Sequence, residues 1–196
     1  MNLKRIRLGR ALIFGLTGLV SIAFAQGGRP DFTVKNIRRQ QIEAPNYAAS
    51  GSGADLGGRP STLWRQWYKI EVQFQSEPQW ADDVQLKYYV LVGQGREARL
   101  FAGDVTHVNI AKGTQHYSAM FMHPNTLRRY GGGQVEAVAV QLFYQNRLED
   151  QISDPQTRER WWEKYTPIPG YLLPPQDTPW AVIGADRFEP IKAGRP

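Results

Sequence analysis

The sequence predicts an all-β fold: an immunoglobulin-like β-sandwich of seven to eight strands, with a short helix and a proline- and aromatic-rich C-terminal extension. Three observations carry this. Apolar residues recur with a period of two over much of residues 67–153, as in half-buried strands. Turn-forming residues interrupt that alternation about every eight to twelve positions. No segment between them has the spacing of a long amphipathic helix. A closed barrel is the alternative, and alternation alone does not separate it from a sandwich.

Each element follows in order. Asp31–Arg39 is read as an edge strand, with Phe32, Val34 and Asn36 alternating imperfectly against Thr33, Lys35 and Ile37. Ala44–Thr62 is rich in Gly, Ala and Ser, has little to bury, and is expected to be a long mobile loop inside one domain. In Trp67–Phe74, Tyr68, Ile70, Val72 and Phe74 share one face. A turn at Ser76-Glu77-Pro78 leads to the strand Val84–Val92, and Gly93-Gln94-Gly95 turns again. Short strands at Ala98–Ala102 and Val105–Ile110 are expected around a break at Gly103-Asp104. Lys112-Gly113 then turns the chain into Gln115–His123, and Pro124 to Gly133 makes a longer crossing. Val135–Tyr144 is apolar on both faces, as a central strand should be. Gln145-Asn146 supports a hairpin into Arg147–Ser153, since Asn tolerates left-handed angles.

The tail is read as a strap. Asp154-Pro155 predicts the start of a helix reaching about Tyr165, before Pro167 stops it. That helix would put Arg158, Trp161, Trp162 and Tyr165 on one face. Eight of the 13 prolines fall from Pro155 onward, so Thr166–Pro179 cannot be a central strand and must cross a surface. Tyr171, Leu172, Leu173 and Trp180 are its available anchors, and Trp180–Ile191 is read as a last strand. Trp161, Trp162, Tyr165, Tyr171 and Trp180 are the candidate partner-binding residues. The competing reading packs these rings against the protein's own sheet.

The N-terminus predicts export. Lys4, Arg5, Arg7 and Arg10 precede the apolar stretch Ala11–Ala25, which closes on Ala23-Phe24-Ala25. Small residues there predict cleavage of a signal peptide (residues 1–25) before Gln26, leaving residues 26–196 as a single domain. As a helix the apolar stretch would reach about 22 Å, short of the roughly 30 Å of a bilayer core. No stable membrane anchor is expected. The full chain has 24 Lys+Arg against 18 Asp+Glu, and losing the four basic residues of 1–25 leaves 20 against 18, or +2. That balance removes the electrostatic case for nucleic acid. The absence of cysteine excludes disulfides, thiolate metal sites, a cysteine nucleophile and a lipidated cysteine.

The order of edge strand, Gly-rich loop, WYKIEVQFQSEP, LKYYVLV, VEAVAVQLFYQNRLED and TPWAVIGADRFEPIK resembles a family of pilus-like proteins from verrucomicrobial bacteria. The resemblance implies an immunoglobulin-like sandwich encoded beside type IV pilus-like and secretin-type machinery, with protein components of such a complex as partners. It departs from a type IV prepilin, whose cleavage precedes a long hydrophobic helix with a glutamate near its new N-terminus. Here the apolar stretch is short and has no Glu.

Catalytic signatures are missing from the sequence, so no enzyme and no cofactor are expected. His107, His116 and His123 lack the spacing of a zinc site, and their expected role is hydrogen bonding on strands. Ser50-Gly51-Ser52-Gly53 is not a nucleophile elbow, and Gly131-Gly132-Gly133 opens a strand rather than a phosphate-binding helix. Asp82-Asp83, Glu149-Asp150 and Asp154 are the acids that could form a glycosidase pair, each with a structural role at a turn, strand or helix cap. The sequence therefore favours a non-enzymatic exported interaction protein. Its alternative is a carbohydrate-binding or adhesive module whose exposed aromatics stack on sugar rings.

Overall fold

A computed structural model describes residues 29–45, 66–132, 134–184 and 186–193. The expected signal peptide and most of the Gly/Ala/Ser-rich loop lie outside the described residues. Nine strands and one α-helix follow in the order β1 (Phe32–Glu43), β2 (Gln66–Ala81), β3 (Val84–Val92), β4 (Arg99–His107), β5 (Ile110–Met122), α1 (Pro124–Gly131), β6 (Val135–Tyr144), β7 (Arg147–Asp154), β8 (Pro167–Pro169) and β9 (Leu172–Leu173).

They form two sheets, β1-β2-β5-β9 and β7-β6-β3-β4-β8. Setting aside the two short tail strands, this is the A-B-E and G-F-C-C′ arrangement of an immunoglobulin-like sandwich, with the fourth strand in the second sheet. Alternation along each strand builds the core between the sheets. Ile70, Val72 and Phe74 of β2 meet Leu86, Tyr88 and Val90 of β3 there, all without solvent exposure. β6 is buried over six consecutive residues, Ala137 to Leu142, because its outward face is covered as well.

The hairpin and the central strands match the sequence reading, with β3 at Val84–Val92 and β6 at Val135–Tyr144. Gln145 and Asn146 both take positive φ, 50° and 61°, as a tight β6–β7 turn requires. Five expectations are corrected. β2 continues through Ser76-Glu77-Pro78, because register shifts after Phe74 and Ser76 absorb the irregularity. β1 ends its pairing at Phe32↔Ser76, so Pro78 lacks a neighbour on that side and its missing N–H breaks no ladder there. Gly103-Asp104 does not break β4; Gly103 is needed because a Cβ would lie 2.9 Å from Leu172 Cβ and Met120 Cε. The true turn is Val108-Asn109, with Asn109 at φ 57°, and β5 passes straight through Lys112-Gly113.

The other two corrections concern helices and the last strand. Pro124–Gly131 is helical, with Pro124 in its first turn, the His123 side chain accepting from Asn125 N–H, and Gly132 closing it in the left-handed region. The helix expected from Asp154-Pro155 does not form. That peptide bond is cis, Arg158 is exposed, and only one 3₁₀ turn appears, at Trp161–Lys164. Trp180–Ile191 forms turns instead of a strand, with a single bridge between Ile191 and His107. Short range signals favoured regular structure; the tail instead combines local turns with hydrogen bonds to the two sheets.

Candidate functional site

The tail reaches both outer faces of the sandwich. Trp162 is buried on the five-stranded sheet, stacked on Tyr89 at 5.9 Å and packed with Leu100 and Ala139. Trp161 and Tyr165 are half-buried in the same cluster, Trp161 lying edge-on to Trp162 at 5.5 Å. β8 then pairs parallel to β4, opposite Leu100–Ala102. Gly170, at φ 85°, lets the chain turn toward the other sheet, where β9 pairs with Phe121 and Met122 of β5. Between them Tyr171 is half-buried against Phe101 and Tyr130. Trp180 is half-buried on the four-stranded sheet, stacked on Phe121 at 5.1 Å and edge-on to Trp67 at 5.6 Å. The five candidate aromatics are thus divided among three places, and each contacts the sandwich.

Polar anchors fix the last part of the tail. Arg187 donates through Nε and Nη2 to the two carboxylate oxygens of Glu71, at 2.9 and 2.7 Å, and Lys69 donates to Oε2 at 2.9 Å. Burial pushes the Glu71 carboxyl up, but these hydrogen bonds outweigh it and hold the group below its usual range. Glu189 N–H donates to Tyr117 O of β5, while Val108 N–H and Lys192 N–H bridge the tail to β4. Residues 189–192 therefore occupy the seam between the two sheet edges.

A buried relay supports that seam. His107 Nδ1 faces the carbonyls of Glu189 and Pro190 at 3.1 and 3.3 Å, so this nitrogen carries the proton. Its Nε2 then accepts from Ser118 Oγ at 2.7 Å, and Ser118 accepts from the Tyr88 hydroxyl at 2.7 Å. Burial drives the His107 pKa down to about 4 and pushes the Tyr88 hydroxyl above the usual phenol range. The Ser118–His107 spacing suits a nucleophile and base. Ser118 is fully buried and His107 is 1 % exposed, so the pair presents nothing to a substrate.

The remaining candidates also have structural partners. His116 Nδ1 lies 2.8 Å from Glu189 Oε1, and His123 caps α1. Among the described residues no group of three or more His, Cys, Asp or Glu is placed to hold a metal. Glu149 accepts from Asp31 N–H at 2.9 Å, Asp150 accepts from Val34 N–H at 2.8 Å, and Asp154 pairs with Arg39 at 2.5 Å. Gly131 packs where a Cβ would lie 2.3 Å from Val92 Cγ1, a close approach unrelated to phosphate. Ser50–Gly53 lies outside the described residues.

One cleft escaped the sequence reading. At the end of the sandwich that carries the β2–β3 and β6–β7 turns, a cleft of about 650 Å³ is lined by Trp80, Asp82, Asp83, Gln85, Gln145 and Asn146, among others. Trp80 is 66 % exposed, far more than any of the tail's candidate rings. Ending the predicted strand at Phe74, with a turn at Ser76-Glu77-Pro78, hid it, since a residue past the strand has no assigned face. Unbroken alternation from Phe74 would have turned Trp80 inward; the register shifts that turn it outward depend on pairing with β5 and leave no local signal.

The architecture defines a class: an all-β, immunoglobulin-like sandwich whose own tail seals the seam between its sheets. A family model for a pilus-like protein of Akkermansia muciniphila matches residues 23–195, and the chain belongs to that family. Among solved structures, the crystal structure of a protein from Akkermansia muciniphila superposes with a TM-score of 0.70 at 20% identity, covering 84% of this chain and 94% of that one. That likeness shows the shared fold. Among curated proteins, none matches.

Proposed function

We propose that this chain is an exported, non-enzymatic structural and interaction protein of a type IV pilus-like or secretin-type surface system. The family match over residues 23–195 carries the reading. Two features support it. The buried Ser118–His107 pair has no access to substrate, and each acid weighed as a glycosidase residue on β7 has a structural partner. Val182 and Ile183, 82 % and 61 % exposed, add apolar surface on the tail that a protein partner would cover. No helix among the described residues is long and apolar enough to cross a membrane.

Crosslinking in cells followed by partner identification tests the assignment. Pilus-like or secretin components are the expected products, and recovery of abundant bystanders alone would overturn it. Export is tested separately: N-terminal sequencing of the mature protein should begin at Gln26.

A further inference from the structure

We propose that the cleft beside Trp80 binds neutral carbohydrate. Sugar recognition needs a flat apolar surface for the ring's C–H face and planar polar groups for its hydroxyls. Trp80 supplies the first, 66 % exposed at the cleft wall. Asp82, Asp83, Gln85, Gln145 and Asn146 supply the second. Among the described residues, the Trp80 indole N–H and the Gln145 and Asn146 side chains hold no hydrogen bond within the chain. These donors and acceptors are therefore available to hydroxyls.

The cleft is held in shape before any ligand arrives. Asp82 Oδ1 accepts from Asn109 N–H at 2.8 Å, tying the β2–β3 turn to the β4–β5 turn. Asp83, Gln145 and Asn146 all sit at positive φ in tight turns, and Lys192 pairs with Asp83. Rigid presentation lowers the ordering cost of binding. The loops at this end occupy the place of the antigen-binding B–C and F–G loops in immunoglobulin variable domains.

The chemistry selects among ligands. A protein hot spot wants apolar neighbours around its aromatic anchor, but polar residues surround Trp80. The other strongly exposed large apolar residues, Val182 and Ile183, lie on the tail and do not line this cleft. Two carboxylates against one lysine leave the cleft acidic, which disfavours phosphates and acidic sugars. Neutral hexoses and N-acetylhexosamines fit.

The test is an array of neutral and acidic oligosaccharides probed with the mature protein, followed by calorimetric titration of a neutral tetrasaccharide. The wild type should bind neutral glycans, with Trp80→Ala weaker by about tenfold or more and Trp80→Phe retaining part of the affinity. Val182→Ser should bind as the wild type does, and urea melts of Trp80→Ala should overlay the wild type, showing an intact fold. A blank array, a preference for acidic glycans, or undiminished binding by Trp80→Ala would each overturn the proposal. None of these outcomes bears on the crosslinking test of the pilus-like role.

Discussion

A sandwich has two open sides, and this protein closes them by different means. On one side β1 and β7 come together through side chains: Glu149 and Asp150 accept backbone N–H groups of Asp31 and Val34, and Arg39 pairs with Asp154. On the other side β4 and β5 meet a tail from the far end of the sequence, which contributes two short strands, stacked aromatics and the His107 relay. The first closure is polar and partly exposed. The second removes large apolar surface from water, and burial of that kind dominates folding energetics. Removing a tail contact should therefore cost more than removing a β1–β7 contact.

The largest expected loss is Trp162→Ala. This buried ring packs on Tyr89, Leu100 and Ala139, so truncation should cost about 3–5 kcal/mol in urea melts. A cost no larger than that of the β1–β7 variants would erase the contrast. Next comes acid. His107 is neutral in the fold with a pKa of about 4, against 6.5 for the free side chain. Protonation thus favours the unfolded chain: the stabilisation is complete above pH 6.5 and is lost as the pH falls toward 4, in all about 3 kcal/mol. Melts of the wild type and His107→Gln across that window should show a steeper loss in the wild type, since the variant keeps the contribution of Glu71 and lacks that of His107.

The polar side should yield less. Asp150→Ala strands the Val34 N–H and should cost about 1–2 kcal/mol in the same melts. Smallest is Arg39→Ala, which breaks a partly exposed ion pair with Asp154 and a long hydrogen bond to the Glu136 carbonyl and should cost about 1 kcal/mol, its ionic part shrinking in salt. Equal costs for Asp150→Ala and Trp162→Ala would mean that the two sides are energetically alike.

The strands whose pattern is local were legible in the sequence. Alternation placed β3 and β6, and Gln145-Asn146 placed the hairpin, because each signal sits within the element it defines. The errors came where a residue answers to a distant neighbour. Gly103 looked like a turn but makes room for Leu172; the segment after Asp154 has a helical spacing and Trp180–Ile191 a strand-like one, yet Trp162 answers to Tyr89 and Trp180 to Phe121. The candidate site divided in the same way. The tail aromatics were visible as a cluster, but which sheet each would meet is a tertiary fact. Trp80 was missed because the strand was ended too early, and the His107–Ser118–Tyr88 relay joins three strands that no sequence spacing relates.

Strand β8 has one more consequence. Two of its three residues are prolines, Pro167 and Pro169, and neither has an N–H to offer. A sheet edge is a template that can recruit a strand from another molecule. Here the recruiting step is blocked where β8 covers β4, much as a capped monomer ends a growing polymer. The molecule can enter a larger assembly through its faces and loops, while this part of its sheet cannot be extended strand by strand.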